Sequence, residues 1–431
     1  MVQKSMEPGR ILVVFGPLKL RESLEKLEAG MSNPAIGGTE FQLLSLALAL
    51  ASDDEFDIEV VCTNAIPRGL ASKIKLRRLV DVNKFGSNTV LISPVSTISE
   101  FHPAHLANCR IILSSHHPHD RLMSKKLRKL PIKLFRVVGA YSYLAVSNQK
   151  PACYIPNLFL SKTSFGGDVA NKHHITCGNI SSYHPSKGTH HVIGMFGLLC
   201  AQVRGIRLEL VGSSELYAND TEIPRRNLRS FLVQPYKVQI DKLIGRFEVA
   251  SKECQIREFG LQSTKLAEIV AGWRFAIINP LGIGESDPAS IKDCLALEVP
   301  VFSTGDFGTW DYQRFFPETT DYSPLQLLDK VVNYINEPEL QQEIQSRVRV
   351  LTKELTERNL VILETWRKTI RSVISGESTP ESHAAVFEPS IISSQMFRRI
   401  QLRKILYRFP AYQTLSNFLR DRYWSYRLRS D

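Results

Sequence analysis

Residues 273–303, WRFAIINPLGIGESDPASIKDCLALEVPVFS, constrain the fold more than any other stretch of the chain. They spell strand, tight loop, helix, strand. Phe275–Ile278 is an apolar run of strand length, and Pro300-Val301 leads into another. Two strands joined through a helix pair in parallel, because parallel neighbours need a crossover. The loop Pro280–Ser286 holds Gly282 and Gly284, which permit backbone conformations other residues avoid. Asp287 offers an N-cap carboxylate, and Pro288 suits the first helical position. A helix N-terminus then points at the loop, where unpaired N–H groups and the helix dipole favour anions. Glu285 and, eight positions on, Asp293 bracket this start with carboxylates. A glycine-rich turn before an Asp-Pro helix start is also ordinary α/β punctuation. The rest of the chain therefore decides what this loop means.

The same alternation recurs elsewhere. Arg10–Phe15 is a buried first strand, and Gly37-Gly38-Thr39-Glu40 precedes a helix from Phe41 for which Thr39 is the expected N-cap. Arg110–Ser114 is another strand, running into His116-His117-Pro118-His119-Asp120. Arg207–Gly212 and Ile256–Gly260 each read as a strand of a βα unit. Alternating strands and helices predict the α/β class, with parallel sheets covered on both faces. The expected organisation is a first Rossmann-like domain over 1–158, a linker over 159–172 and a second domain over 173–325. C-terminal helices follow over 326–374, and a polar linker with a basic tail over 375–431. Ser375-Gly376 through Pro380 breaks the last long helix.

Several of these pieces resemble the retaining, family-4-like glycosyltransferases of the GT-B fold. That family writes Glu, seven residues, Glu, a small-residue helix, then Pro-Val and a strand. Here the sequence runs Glu285, seven residues, Asp293, Cys294-Leu295-Ala296, then Pro300-Val301. The family's Phe-Gly pair, whose backbone meets the donor diphosphate, corresponds to Asp287 and Pro288. Upstream, Pro185-Ser186-Lys187-Gly188 resembles the family's Lys-Gly element, with Asn179 where an arginine is usual; Asn donates a hydrogen bond but brings no charge. The resemblance implies Lys187 and Gly188 at the donor diphosphate, Glu285 beside the donor sugar and Asp293 on the ribose. It also implies Gly37, Gly38 and Gly284 as close backbone approaches to the donor. His116 or His117, just after a strand, corresponds to the family histidine beside the sugar. Ala145-Val146-Ser147-Asn148 resembles the family's last N-domain strand, and Tyr154-Ile155-Pro156-Asn157 its Ile-Pro-Asn segment. The fold so implied is two Rossmann-like domains facing across a cleft, with C-terminal helices crossing back.

Alternatives remain at each position. Lys187 can be a solvated first-turn lysine. Three histidines and an acid at 116–120 can suggest a metal, although Pro118 and the close spacing do not suit zinc sites; a plain polar loop is the third option.

The 431 residues suffice for two or three domains with full cores. Seven cysteines lie singly, with no Cys-x-x-Cys pair, which suits reduced thiols in the cytoplasm. No signal peptide is expected, because Ile11–Phe15 is too short, and no apolar run approaches the ~20 residues that span a bilayer. The basic character is concentrated at the end: residues 396–431 carry nine arginines and lysines against two aspartates, +7 of the chain's +11. Leu402, Ile405, Leu406 and Phe409 follow helical spacing among Arg399, Arg403, Lys404 and Arg408. Leu415, Phe418 and Leu419 make a second stripe before Tyr423, Trp424 and Tyr426. Such a tail suits an anionic membrane surface or a helix packed on the protein with its charges in water. Nucleic acid is the poorer reading and is not expected as a partner, since the α/β units show no recognition motif and a basic tail is not specific.

The expected function is transfer of a sugar from a nucleotide-sugar to a glycan or lipid-linked acceptor, with no metal or other cofactor. A GT-B binding protein without turnover and a sugar-nucleotide epimerase of the same fold are the alternatives; fold alone does not separate them.

Overall fold

The structure is a computed structural model that describes residues 10–20, 37–52, 55–63, 66, 74–117, 127–146, 152–160, 175–213, 228–250, 254–260, 263–377, 398–402 and 410–430. It divides into two units. Met1–Phe159 with Glu357–Ile392 form the first, and Leu160–Thr356 with Ser393–Asp431 form the second.

The first unit is built on a seven-stranded sheet: β1 (Ile11–Leu18), β2 (Phe56–Cys62), β3 (Lys75–Arg78), β4 (Thr89–Pro94), β5 (Arg110–Ser115), β6 (Ile132–Val137) and β7 (Ala152–Tyr154). Their order is β3-β2-β1-β4-β5-β6-β7, with every pairing parallel. Val13, Val14, Phe15, Leu91 and Ile92 are fully buried, as central strands covered on both faces must be. Strand order reverses between β1 and β4, where open α/β sheets place ligands. Helix α1 (Gly38–Leu50) follows β1. Its N-cap is Gly37, not Thr39, and its first turn carries Glu40, whose carboxylate lies over Gly37. Ala145 and Val146 close a helix, α2 (Ala140–Val146), rather than forming the expected last strand; β7 takes that place, and Ser147 and Asn148 lie outside the described residues.

The second unit carries a five-stranded parallel sheet: β8 (Thr176–Ser182), β9 (Arg207–Ser213), β10 (Gln255–Gly260), β11 (Phe275–Ile277) and β12 (Val301–Phe302). The order is β10-β9-β8-β11-β12. Here the order reverses between β8 and β11. The helices are α3 (Thr189–Cys200), α4 (Leu228–Ala250), α5 (Ser263–Ala271), α6 (Ala289–Leu295) and α7 (Pro324–Asn336). Gly178 on β8 leaves the space that the buried Trp273 ring occupies, and Trp273 Nε1 donates to Glu209 Oε2 at 2.8 Å. Phe275, Phe302 and Tyr334 meet edge to face, with centroids 5.4–5.9 Å apart.

The long helix α8 (Pro338–Ser375) ends before Gly376, whose φ of +78° stops it. Its residues from Glu357 belong to the first unit. There Trp366 and Ile370 are fully buried, and the Asn359 side chain clasps the Phe159 backbone with bonds of 2.8 and 2.6 Å.

The basic tail belongs to the second unit. Residues 398–402 are helical, and α9 (Pro410–Ser430) follows. Two carboxylates hold it. Buried Asp306 accepts from Arg399 at 3.0 Å and Arg420 at 2.8 Å. Asp421 on α9 meets His190 Nε2 at 3.1 Å and His191 Nε2 at 2.9 Å on the first turn of α3. Burial pushes the His191 imidazole down to about 4, so it is neutral near pH 7. Leu428 packs on Gly194 of α3. Leu415, Phe418, Leu419, Tyr423 and Tyr426 of α9 are each more than half exposed. Residues 403–409, which carry most of the first predicted stripe, lie outside the described residues. No helix among the described residues is long and apolar enough to cross a membrane.

Candidate functional site

The reversal of strand order in the second sheet sets apart two loops: 183–188 after β8 and 278–288 after β11. Ligands of open parallel sheets bind at this kind of place, beyond the carboxyl ends of the strands.

The first loop is folded by its own side chains. The backbone N–H of Ser186 donates to His184 Nδ1 at 3.3 Å, capping the turn Pro185–Lys187. Gly188, at φ +70°, then turns the chain into α3. The second loop is locked by Asn279, which sits at φ +36°, a conformation rare outside glycine but tolerated by Asn. Its Nδ2 donates to Ser186 O at 3.0 Å, Ile283 O at 3.1 Å and Glu285 Oε1 at 3.2 Å. One amide thus ties both loops to the acid of the predicted signature. Asn279 Oδ1 is buried and accepts no hydrogen bond.

Lys187 and Glu285 come together across the loops, Nζ to Oε1 at 2.8 Å. Glu285 is nearly buried, while Lys187 keeps about a quarter of its side chain in solvent: 26% against 7% exposed. Gly284, at φ +80°, brings the second loop against Ser186, where a Cβ would lie 3.2 Å from Oγ. Gly282, at φ +66°, packs on the other side against Asp306 O, which a Cβ would meet at 2.7 Å. Gly308 passes over the Ser286 backbone with no room for a side chain, and its N–H donates to Glu285 O at 3.2 Å. The loop bearing Glu285 is therefore clamped between segments 184–187 and 303–309.

Asp287 does not cap the helix. α6 starts one residue later than expected, with Pro288 as its N-cap. The Asp287 carboxylate instead takes Lys292 Nζ at 2.7 Å and the Tyr312 hydroxyl. Lys292 is almost fully buried, and a buried ammonium needs a counter-ion more than a helix end needs a cap. Asp293 lies half-buried on α6. Asn179 is buried in β8, its amide donating to Ile277 O at 2.7 Å. This bond joins the two strands flanking the reversal.

In the first unit, the histidines at the end of β5 part company. His116 is buried, its Nε2 2.9 Å from Ser114 Oγ and 3.5 Å from Arg136 Nη1. His117 is exposed. Arg136, buried on β6, donates to Ile155 O, Ser114 Oγ and Asn157 Oδ1 at 2.8–2.9 Å and lies 5.1 Å from the Trp366 ring centroid. A guanidinium held this way fixes His116 and the segment 155–157 together. His119 and Asp120 lie outside the described residues. Gly37 and Gly38 open α1, where a Cβ on Gly38 would meet nothing within 4 Å.

Sequence reading did not single out Asn279, Arg136, Lys292 or Tyr312. Asn279 alone left a local signal, as an Asn-Pro at a strand end; the partners of the others lie 5 to 25 positions away.

Compared by sequence, the chain matches no protein-family model and no curated protein. Its structure is similar to an α,α-trehalose-phosphate synthase (UDP-forming) from Burkholderia vietnamiensis, with 12% identity and a TM-score of 0.56 over 85% of this chain and 99% of that one. It is also similar to Anabaena Alr3699/HepE, solved with UDP, with 14% identity and a TM-score of 0.53 over 83% and 99% of the two chains. Against S. aureus TarM the match covers 64% of this chain and only 56% of that protein, with 14% identity and a TM-score of 0.46. Identities this low define a fold, and the fold is GT-B: a mixed α/β chain with two parallel, Rossmann-like sheets.

Proposed function

We propose that the chain is a retaining glycosyltransferase that moves a sugar from a nucleotide-sugar donor to a glycan or lipid-linked acceptor. The observation that carries this reading is the Lys187–Glu285 pair, 2.8 Å apart, at the point where the second sheet reverses its strand order. A cation and an acid meet there on two glycine-bearing loops. An arriving diphosphate exchanges for Glu285 as the partner of Lys187, and the freed carboxylate turns to the donor sugar. Asp293 then holds the ribose. Asn179 adds no charge and its amide is already bonded to the sheet, so neutralisation falls chiefly on Lys187. Of the two histidines, we assign His116 to the reaction, because its ring is held in a buried network.

Transfer with retention needs no protein nucleophile. The acceptor hydroxyl attacks the face the nucleotide leaves, and the departing phosphate oxygen takes its proton. Catalysis is then positioning and stabilisation of the leaving diphosphate, and transfer requires no metal. UDP, present in the Anabaena HepE structure, is the first nucleotide to try. The test is thermal stabilisation by a panel of UDP-, GDP- and ADP-sugars, followed by product analysis. A ligand bound only by the folded state raises stability by mass action. A product with the donor's anomeric configuration supports the reading. Binding without turnover would favour a carrier, and a C2-inverted nucleotide-sugar an epimerase.

The same reading gives the tail a location. α9 is docked by one side and offers Phe418, Leu419, Tyr423 and Tyr426 on exposed positions beside Arg422 and Arg427. Aromatic and basic residues side by side suit the anionic, cytoplasmic face of a membrane, where lipid-linked acceptors reside.

A further inference from the structure

We infer that His190, His191 and Asp421 form a binding site for a divalent transition metal of the zinc class, one that staples α9 to α3. The three side chains present ligand atoms within 4.8 Å of one another. Both imidazoles aim Nε2 at the same carboxylate oxygen, Asp421 Oδ1, at 3.1 and 2.9 Å. Zinc–ligand bonds of about 2.0–2.1 Å in a tetrahedron separate neighbouring ligands by about 3.3 Å. The two His–Asp421 pairs lie within a few tenths of an ångström of that spacing, and all three ligand atoms lie within 4.8 Å of one another.

The surroundings fit this use. Metal-bound imidazoles usually donate their other ring N–H to a fixed acceptor, which sets the tautomer. For His190 that acceptor is present: the buried Tyr236 hydroxyl, 2.8 Å from Nδ1. Nδ1 of His191 is buried without a hydrogen-bond partner. It lacks one whether it carries the proton or the lone pair, so metal binding does not worsen its position. Two nitrogens and one carboxylate oxygen select zinc, cobalt or nickel over magnesium and calcium, which prefer all-oxygen shells. About a quarter of the Asp421 side chain is exposed while both imidazoles are buried, so the fourth position opens on the Asp421 side, to water. The site lies at the tail and not in the donor loops, and it stands or falls independently of the transfer reaction.

The experiment is a titration of metal-free, full-length protein with Co2+, read by visible ligand-field absorption, with Zn2+ as competitor. The expected result is 1:1 binding with a tetrahedral spectrum, displaced by Zn2+, and a Tm that rises on loading and falls on chelation. Asp421→Asn keeps an oxygen that can accept from both imidazoles but loses the charge; it and His191→Ala should abolish the spectrum. Tyr236→Phe should weaken binding about 10–100-fold, and His102→Ala, at an exposed histidine of the first unit, should leave it unchanged. Wild-type affinity in folded Asp421→Asn overturns the inference, as does the absence of 1:1 binding. If His191→Ala does not fold, Asp421→Asn decides the matter.

Discussion

Gly178 owes its place to a neighbour. A methyl group there would overlap the ring of Trp273, which is itself anchored to Glu209. Gly178→Ala should therefore cost about 1–3 kcal/mol, the usual penalty for overpacking, measured by urea unfolding; unchanged stability would mean that Trp273 has an alternative seat. Lys187 makes a different kind of prediction. Lys187→Ala should weaken nucleoside-diphosphate binding by about 1.5–3 kcal/mol, the worth of a hydrogen bond to a charged group, and leave nucleoside binding nearly untouched. Equal diphosphate affinity in mutant and wild type, by calorimetry, would remove Lys187 from the site. Glu285→Gln should keep binding and lose turnover, since the amide still accepts from Asn279 but carries no charge.

At the scale of elements, the sequence exposed what is periodic and concealed what is reciprocal. Runs of apolar residues marked β1, β5, β9 and β10. The loops at 183–188 and 278–288 were legible because glycine, proline and charged residues crowd there. Lys187 and Glu285 were legible one at a time, through resemblance; that they touch is a property of two loops whose residues lie 98 positions apart. Asp287 misled because a local cap and a buried counter-ion use the same carboxylate, and only the buried Lys292 decides between them. Thr39 misled similarly: the helix begins one residue before it. The tail shows the same limit. Its stripe of apolar residues was visible, but not that Asp306 and two histidines hold its other side. Arg420→Ala should lower stability by about 1–3 kcal/mol, because it strips a partner from a buried carboxylate. Phe418→Ser with Tyr423→Ser should leave stability alone, since both side chains are more than half exposed, and reduce co-sedimentation with anionic vesicles. Binding that survives this pair at low salt would place the membrane contact elsewhere.

At the scale of the whole molecule, the seven cysteines are a probe of both units. Six are buried and one is partly so. Burial pushes the thiols of Cys62 and Cys109 up to about 11 and Cys153 up to about 12, and raises Cys177, Cys200 and Cys294 as well. The thiolate is the reactive form. Native protein should thus consume almost none of a thiol reagent at pH 8, and denatured protein about seven equivalents; rapid labelling of the native form would show that one of the cores opens readily.

The clasp between α3 and α9 joins positions 230 apart, and Arg371 reaches Glu55 across 316. A ribosome makes the early partner of each contact long before the late one. While residues 190 and 191 wait for 421, the first turn of α3 has no carboxylate to hold it, and the loop carrying Lys187 directly precedes that turn. Neither unit can reach its finished form until a later segment is made: Glu357–Ile392 for the first and Ser393–Asp431 for the second. Nascent chains stalled before residue 357 should therefore remain protease-sensitive in both halves, and binding of a nucleotide should begin only once residue 421 has been made.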